Sequence, residues 1–328
     1  MIVAHFHRKR RQNANYSIEK IFKTIRDELN TKINFEVVTC PYESNGFFRR
    51  LFNCFYAANK QKDINHITGD VNYLNLFFKR IKNILTIHDL GILYRTKGIK
   101  HFLAKLIWYT IPVGRAAYVT TVSQTTKNEL LKYVSCEPDK IKVIHNPVSP
   151  VFKRAEKSFN EVQPLIIQIG SAPNKNLARL IKAVRGLSCK IIIIGTISDS
   201  CKKELIGSNI AFENFIDIRE EELYEHYKRC DMLFFASTYE GFGMPIVEAN
   251  IVGRPVITSN LYSMPEVAGD SALLVDPFNI EEIRNGIKKI INDDKLREDL
   301  IRKGFKNAER FTLEKMAADY LILYQQVK

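Results

Sequence analysis

The sequence predicts an α/β protein made of two doubly wound parallel sheets, each covered by helices. Three observations carry this. Short apolar runs alternate with helical patterns along the whole 328-residue chain, which is the signature of parallel sheets built from βαβ units. The apolar runs are continuous (KIIII, MLFF), as in strands buried on both faces. A polar stretch at 147–164 with three prolines (Pro147, Pro150, Pro164) separates two such series.

In the first half, strands are predicted at 2–6, 35–39, 64–67, 83–87, 118–122 and 142–144. Helical patterns fall between them, for example at 17–29 and 124–134. In the second half, strands at 165–169, 190–194, 210–213, 232–236, 255–258 and 272–275 alternate with helices. Helical patterns at 280–292 and 295–310 follow the last strand, and a final one lies at about 313–326. The expected division is 1–155, 156–311 and a terminal helix at 312–328. A hydrophobic content of 45% and a charged content of 26% are those of a soluble globular protein with a substantial core, and the length suits two domains. No apolar run approaches the ~20 residues of a membrane span. The start, MIVAHFHRKRRQ, has no signal-peptide apolar region. The six cysteines are scattered without a C-x-x-C pair, which fits a reduced interior better than a disulfide framework or zinc site. No internal repeat or low-complexity segment is present.

The most informative stretch is 234–277, FFASTYEGFGMPIVEANIVGRPVITSNLYSMPEVAGDSALLVDP. It reads as strand, loop and helix, and in open α/β sheets such loops line the ligand crevice at the carboxyl ends of strands. Gly241 and Gly243 let the backbone turn sharply and approach a ligand. Pro245 suits the first helical turn, where its missing N–H costs nothing. The first-turn amides and the positive end of the helix dipole favour a phosphate. Glu248, about one turn into that helix, is suited to accepting hydrogen bonds from a diol such as ribose, and Glu240 could do the same for a sugar. The alternative is an ordinary surface glutamate and an ordinary first-turn acid.

The block EGFGMPIVEA, GRPVI and MPEVAGDSALLVDP resembles the nucleotide-sugar-binding half of retaining glycosyltransferases of family 4, which have the GT-B fold. Their two glutamates separated by seven residues correspond to Glu240 and Glu248. The resemblance continues in TIHDLG (86–91), TVSQTTKNELLKY (121–133), VIHNPVSPVF (143–152) and QIGSAPNKNLARLIKAV (168–184), in the family's order. It implies two Rossmann-like domains facing across a cleft, with the last helix crossing back to the first domain. It also implies a hexosyltransferase that keeps the anomeric configuration and needs no metal or other cofactor.

The resemblance assigns roles to further residues. Lys175 would contact the donor diphosphate, in a loop where Gly170, Ser171 and Asn176 complete the donor site with Gly241, Phe242, Gly243, Met244 and Pro245. Alone, Lys175 reads as a solvated loop lysine. Many relatives carry an arginine soon after the glycine, where this chain has Ser171 and Ala172, so Arg254 or a base of the first domain is a candidate helper. His88 would face the transferred sugar, with Lys175 and Glu240 completing the catalytic set; alone, His88 reads as a structural histidine. Asp89 equally suits a turn cap, and Glu266 suits either the nucleotide end or a helix start. Asn214 stands where relatives often have glycine near the base pocket. No D-x-D motif follows a strand, so Lys175 and helix-terminal amides are expected to stabilise the diphosphate. The family lacks a protein nucleophile, which leaves Glu240 to orient sugar hydroxyls.

Charge is unevenly divided. Residues 1–160 hold 27 Lys and Arg against 12 Asp and Glu, a net of +15, whereas 161–328 hold 22 against 24, a net of −2. A basic half needs an acidic partner or surface. Bases interleave with aromatics at 46–60, 72–85 and 98–112, and such faces either lie in an anionic bilayer interface or fill the core. The run Arg8, Lys9, Arg10, Arg11 replaces the family's glycine pair; with Arg49 and Arg50 it is a candidate for holding a polyprenyl diphosphate acceptor, donor phosphates or lipid, the alternative for the run being a disordered, solvated turn. The expected setting is cytoplasmic, at the inner face of the cell membrane, in bacterial surface-polysaccharide synthesis. The expected partners are a nucleotide-sugar donor, a saccharide or polyprenyl-diphosphate-linked acceptor and no nucleic acid. Two rivals remain: a non-hydrolysing nucleotide-sugar epimerase, and a nucleic-acid-binding protein favoured by a pI near 9.3.

Overall fold

A computed structural model describes residues 1–9, 17–79 and 82–327, apart from the side chain of Ser17. The chain divides into two compact units, Met1–Pro147 with Leu313–Lys328, and Val148–Thr312. Residues 148–155, expected in the first domain, pack in the second. Phe152 is buried there edge-on against Tyr227 at 5.6 Å, and the Ala155 amide donates to Val252 O at 3.2 Å.

The first unit holds β1 (Ile2–His7), α1 (Ser17–Leu29), β2 (Asn34–Thr39), α2 (Phe47–Ala58), β3 (Ile64–Ile67), β4 (Asn83–Ile87), α3 (Gly91–Arg95), α4 (Gly98–Ala104), α5 (Ile111–Arg115), β5 (Tyr118–Thr121), α6 (Gln124–Tyr133) and β6 (Ile141–Val143). A π-type turn, Lys105–Thr110, joins α4 to α5. The sheet is parallel throughout, in the order β2-β1-β3-β4-β5-β6. The second unit holds β7 (Leu165–Ile169), α7 (Leu177–Ala183), β8 (Lys190–Ile194), α8 (Asp199–Gly207), β9 (Ala211–Phe215), α9 (Glu220–Arg229), β10 (Met232–Phe235), α10 (Met244–Val252), β11 (Val256–Ser259), α11 (Ser263–Ala268), β12 (Ala272–Val275), α12 (Ile280–Asn292) and α13 (Asp294–Ala308). Its parallel sheet runs β12-β11-β10-β7-β8-β9. The predicted strands are all present, with ends displaced by at most two residues. The continuous apolar runs are the reason: Ile191–Ile193 and Met232–Phe235 are wholly buried between helical layers.

The last helix, α14 (Leu313–Gln326), packs on α1 in the first unit, where Met316, Tyr320, Leu323 and Tyr324 join Val3, Phe22, Ile25 and Ile84 in one core. That core contains polar side chains with a determinate proton order. Arg26 can only donate, and its Nη1 lies 3.2 Å from both His5 Nδ1 and His7 Nε2, so both nitrogens accept. His5 Nε2 then donates to Tyr324 Oη at 2.9 Å, Tyr324 donates to His66 Nδ1 at 2.8 Å, and His66 Nε2 donates to Thr86 Oγ1 at 2.7 Å. Burial first, and neighbouring imidazoles or Arg26 second, hold His5 and His66 well below the usual imidazole range and push His7 down to about 4.

The aromatic–basic segments divide between buried and exposed side chains. In 72–85, Tyr73, Leu74 and Phe78 are core residues. In α2, Asn53, Cys54 and Ala57 face inward, whereas Phe48, Phe52 and Phe55, at i, i+4 and i+7, lie on one exposed face with Phe47 beside them. In α4, Ile99, Phe102 and Leu103 are exposed. Phe48 and Ile99 reach 81% and 75% exposure, values at which the bland core reading fails for these side chains. Among the described residues, no helix is long and apolar enough to cross a membrane.

Candidate active site

In the second unit the chain winds outward in both directions from β7 and β10, which are adjacent in the sheet. This is a topological switch point, where the loops leaving the two strands diverge and open a crevice at their carboxyl ends. The loop after β7 carries Gly170 and Lys175, and the loop after β10 carries Glu240. They meet: Lys175 Nζ lies 2.7 Å from Glu240 Oε1 and 4.8 Å from the centre of the Phe235 ring. The Lys175 and Glu240 side chains are 23% and 16% exposed, shielded enough to be held and open enough to be reached. Asn174 Nδ2 also approaches Glu240 Oε1, at 3.3 Å, and donates to Tyr239 O at 3.1 Å. The Thr238 amide donates to Asn174 O, so backbone as well as side chains join the loops.

Gly170 is required by this geometry. It has φ +83°, and a Cβ there would sit 2.9 Å from Lys175 Cγ, in the space the lysine stem uses. Ser171 Oγ donates to Thr196 O at 2.6 Å. Asn176 is buried and left-handed. Its Nδ2 donates to Ala236 O and Pro277 O, so this predicted donor ligand acts as a staple between loops rather than through a free side chain.

Gly243 has φ +118° at the head of α10, and Pro245 occupies the first turn. Six of the nine α10 residues are buried, which marks it as a central helix with Glu248 as its one charge. Glu248 is half-buried, and its Oε2 accepts from Tyr227 Oη at 2.9 Å. Phe242 is buried edge-on against Phe311 and Pro245 is buried too, so both shape the loop from within, whereas Gly241 and Met244 are half-buried. Ser263 Oγ holds the loop's carbonyls, lying 2.9 Å from Glu240 O and 2.7 Å from Phe242 O.

Arg254 is not the helper for phosphate. It precedes β11, at the amino ends of the strands, is 3% exposed, and donates to the carbonyls of Tyr227, Lys228, Ala155, Val252 and Gly253. Asn214 Nδ2 is likewise committed, to Ile193 O and Gly195 O. Glu266 lies in the first turn of α11.

In the first unit, His88 follows β4, near the switch point between β1 and β3. Its Nε2 donates to Thr68 O at 2.8 Å. Thr68 is held in turn by the Phe6 carbonyl and by His7 Nδ1 at 2.9 Å. Asp89 Oδ1 accepts from the Gly91 amide at 2.7 Å, the turn-capping alternative. Arg8 is paired with Glu19 at 2.9 Å and Asp70 at 2.8 Å, so much of its charge is already balanced within the protein. Lys9 is exposed, and Arg10 and Arg11 lie outside the described residues. Arg49 is exposed; Arg50 stacks over Trp108 at 4.7 Å and donates to Ser44 O.

Sequence reasoning missed Asn174, Tyr227 and Ser263. Asn174 was legible, one residue before Lys175 in the same loop. Tyr227 and Ser263 stand about 20 residues from their partners in other elements, and no local pattern links them.

The family profile of glycosyltransferase family 4 matches residues 26–152, and that of glycosyl transferases group 1 matches 152–307. Among curated proteins, the O-antigen chain mannosyltransferase B of Escherichia coli is 26% identical over 270 residues, covering 74% of this chain and 70% of the relative. Among solved structures, sucrose-phosphate synthase from Thermosynechococcus elongatus superposes with a TM-score of 0.81 at 15% identity, over 99% of this chain and 98% of its own. The Anabaena protein Alr3699/HepE in complex with UDP-glucose gives a TM-score of 0.76 at 17% identity, over 99% of each chain. Two profile matches that together span residues 26–307, the glutamates Glu240 and Glu248 separated by seven residues and these fold likenesses agree: the chain is a glycosyltransferase of family 4 with the GT-B fold.

Proposed function

We propose that this glycosyltransferase moves a sugar from a nucleotide-sugar to a saccharide or lipid-linked saccharide with retention and without a metal, in bacterial surface-polysaccharide assembly. The observation that carries the reading is the Lys175–Glu240 pair at the β7–β10 crevice. Lys175 offers a point charge to the diphosphate, supported by the amides and dipole at the head of α10. Glu240 accepts hydrogen bonds from sugar hydroxyls. Its Oε1 is held by Lys175 and Asn174, which makes it a poor nucleophile and favours positioning as its role. The acceptor oxygen attacks C1 from the leaving-group face, the C1–phosphate oxygen bond breaks, and a donor phosphate oxygen takes the acceptor proton. His88 orients a hydroxyl of the transferred sugar. Glu248 accepts hydrogen bonds from the ribose diol. The name of the Escherichia coli relative makes mannose the first sugar to test.

The setting we propose is the anionic, cytoplasmic face of the cell membrane. Support comes from the exposed aromatics of α2 and α4, which sit among Arg49, Lys97, Lys100 and Lys105 in stretches (46–62 and 95–115) without an acidic residue. Apolar side chains enter the headgroup boundary while each nearby base adds about 1 kcal/mol of attraction to anionic lipid.

The test incubates the purified protein with UDP- and GDP-linked mannose and glucose, with and without a lipid-linked saccharide, in EDTA. Transfer that needs acceptor, retains the α configuration by NMR and survives EDTA is expected. An inverted product, loss of activity in EDTA, or epimerised donor without acceptor would overturn the corresponding part of the reading.

A further inference from the structure

We infer that Tyr227 is a positioning residue that aims the Glu248 carboxylate at the donor's ribose; this rests on the ribose role proposed above for Glu248. Tyr227 lies on α9, wholly buried, with its ring held edge-on by Phe152 at 5.6 Å. Its backbone is fixed as well, because Tyr227 O accepts from Arg254 Nε at 3.0 Å and from Cys230 Sγ at 3.3 Å. The hydroxyl therefore sits at a set point. It has one proton and two acceptors in reach, Glu248 Oε2 at 2.9 Å and Pro245 O at 3.4 Å, and the shorter contact to a carboxylate is the stronger bond.

The sequence of α10 gives this contact its use. MPIVEANIV buries its apolar residues and leaves Glu248 as the one charge in the helix. A glutamate side chain has three rotatable bonds, and ordering them costs free energy that a ligand would otherwise have to supply. A carboxylate pinned through Oε2 is held in one orientation before any ligand arrives. Burial, and secondly the charge of Glu248, push the Tyr227 phenol well above its usual range, so it remains a donor at any working pH.

A merely structural tyrosine would affect folding and all ligands alike, whereas a positioning tyrosine affects discrimination by ribose hydroxyls. Calorimetric titration with UDP, GDP and ADP, each beside its 2′-deoxy and 3′-deoxy analogues, measures this. Wild type is expected to prefer a ribonucleotide over a deoxy analogue by roughly tenfold to a hundredfold, the range for a hydrogen bond to a charged group. Tyr227→Phe, which removes one oxygen and adds nothing, should reduce that preference by about tenfold while leaving affinity for the deoxy analogues within about twofold. Glu248→Ala should abolish it, and the double variant should behave like Glu248→Ala alone, because Tyr227 acts through Glu248. If Tyr227→Phe does not fold, Glu248→Asp keeps the charge but withdraws it from the Tyr227 hydroxyl: the preference should fall by a similar factor, and a preference kept at the wild-type level overturns the inference. Discrimination that survives Glu248→Ala defeats the ribose reading itself. Discrimination lost in Glu248→Ala but intact in Tyr227→Phe, or losses that simply add in the double variant, overturn the positioning inference and leave the ribose reading standing.

Discussion

Acidification should weaken the first unit at pH values where most of its carboxylates are still ionised. The perturbation is a shift from pH 7.5 to 5. His7 is held at about 4 in the fold against 6.5 in the unfolded chain. Its neighbours explain the direction: burial disfavours the imidazolium, and Arg26 Nη1 at 3.2 Å and Arg8 add repulsion that Glu19 only partly offsets. Above pH 6.5 neither state binds the proton, so the linkage term vanishes. As pH falls below 6.5, the unfolded chain takes up a proton that the fold refuses, and stability is lost down to about pH 4. At 1.36 kcal/mol per pK unit, His7 alone removes about 2 kcal/mol at pH 5 and about 3 kcal/mol at full titration. His5 and His66, also held low by burial, act in the same direction. This is a large share of a domain's ~5–15 kcal/mol. Trp108 is the chain's single tryptophan and belongs to the first unit, so its fluorescence reports that unit during urea unfolding. With a urea slope of about 1–3 kcal/mol/M, the midpoint should fall by roughly 1 M or more between pH 7.5 and 5. His7→Gln should make that dependence shallower. A midpoint unchanged over this range, or the same slope in His7→Gln, is incompatible with a His7 held neutral by the fold.

Further outcomes follow from the site and its scaffold. Glu240→Gln should lower kcat by roughly 10²–10³ while shifting Tm by only a few degrees, because the Lys175 pair is partly exposed; steady-state kinetics beside calorimetry checks this. Lys175→Met should weaken nucleoside diphosphate binding by roughly tenfold or more and leave binding of the nucleoside nearly unchanged, as read by titration. Gly253→Ala should destabilise the second unit by about 1–2 kcal/mol, since φ is +84° and the new Cβ would sit 2.8 Å from Phe305 Cζ; denaturant unfolding measures it. Phe47→Ser with Phe48→Ser should cut sedimentation with vesicles containing anionic lipid by at least tenfold, at about 1.5 kcal/mol or more per phenylalanine withdrawn from lipid, without lowering turnover on a water-soluble acceptor.

The two parallel sheets, the order of their elements and most of the glycine–glutamate loop after β10 are written in the sequence. Strands buried on both faces must be continuously apolar, so runs such as KIIII and MLFF declare themselves without knowledge of their neighbours. The glycines and the paired glutamates at 240–248 are local for the same reason, because a turn and the helix head after it are set by adjacent residues. Tertiary structure alone decided which charged groups are already satisfied. Arg254 and Arg8 read as candidate phosphate ligands along the chain, yet one is spent on backbone carbonyls and the other on two carboxylates. It also decided which aromatics of α2 face outward, and it joined Tyr227 to Glu248 across 21 residues. Hydrogen-bond satisfaction is a property of what surrounds a side chain, and packing brings those surroundings from parts of the chain that share no local pattern.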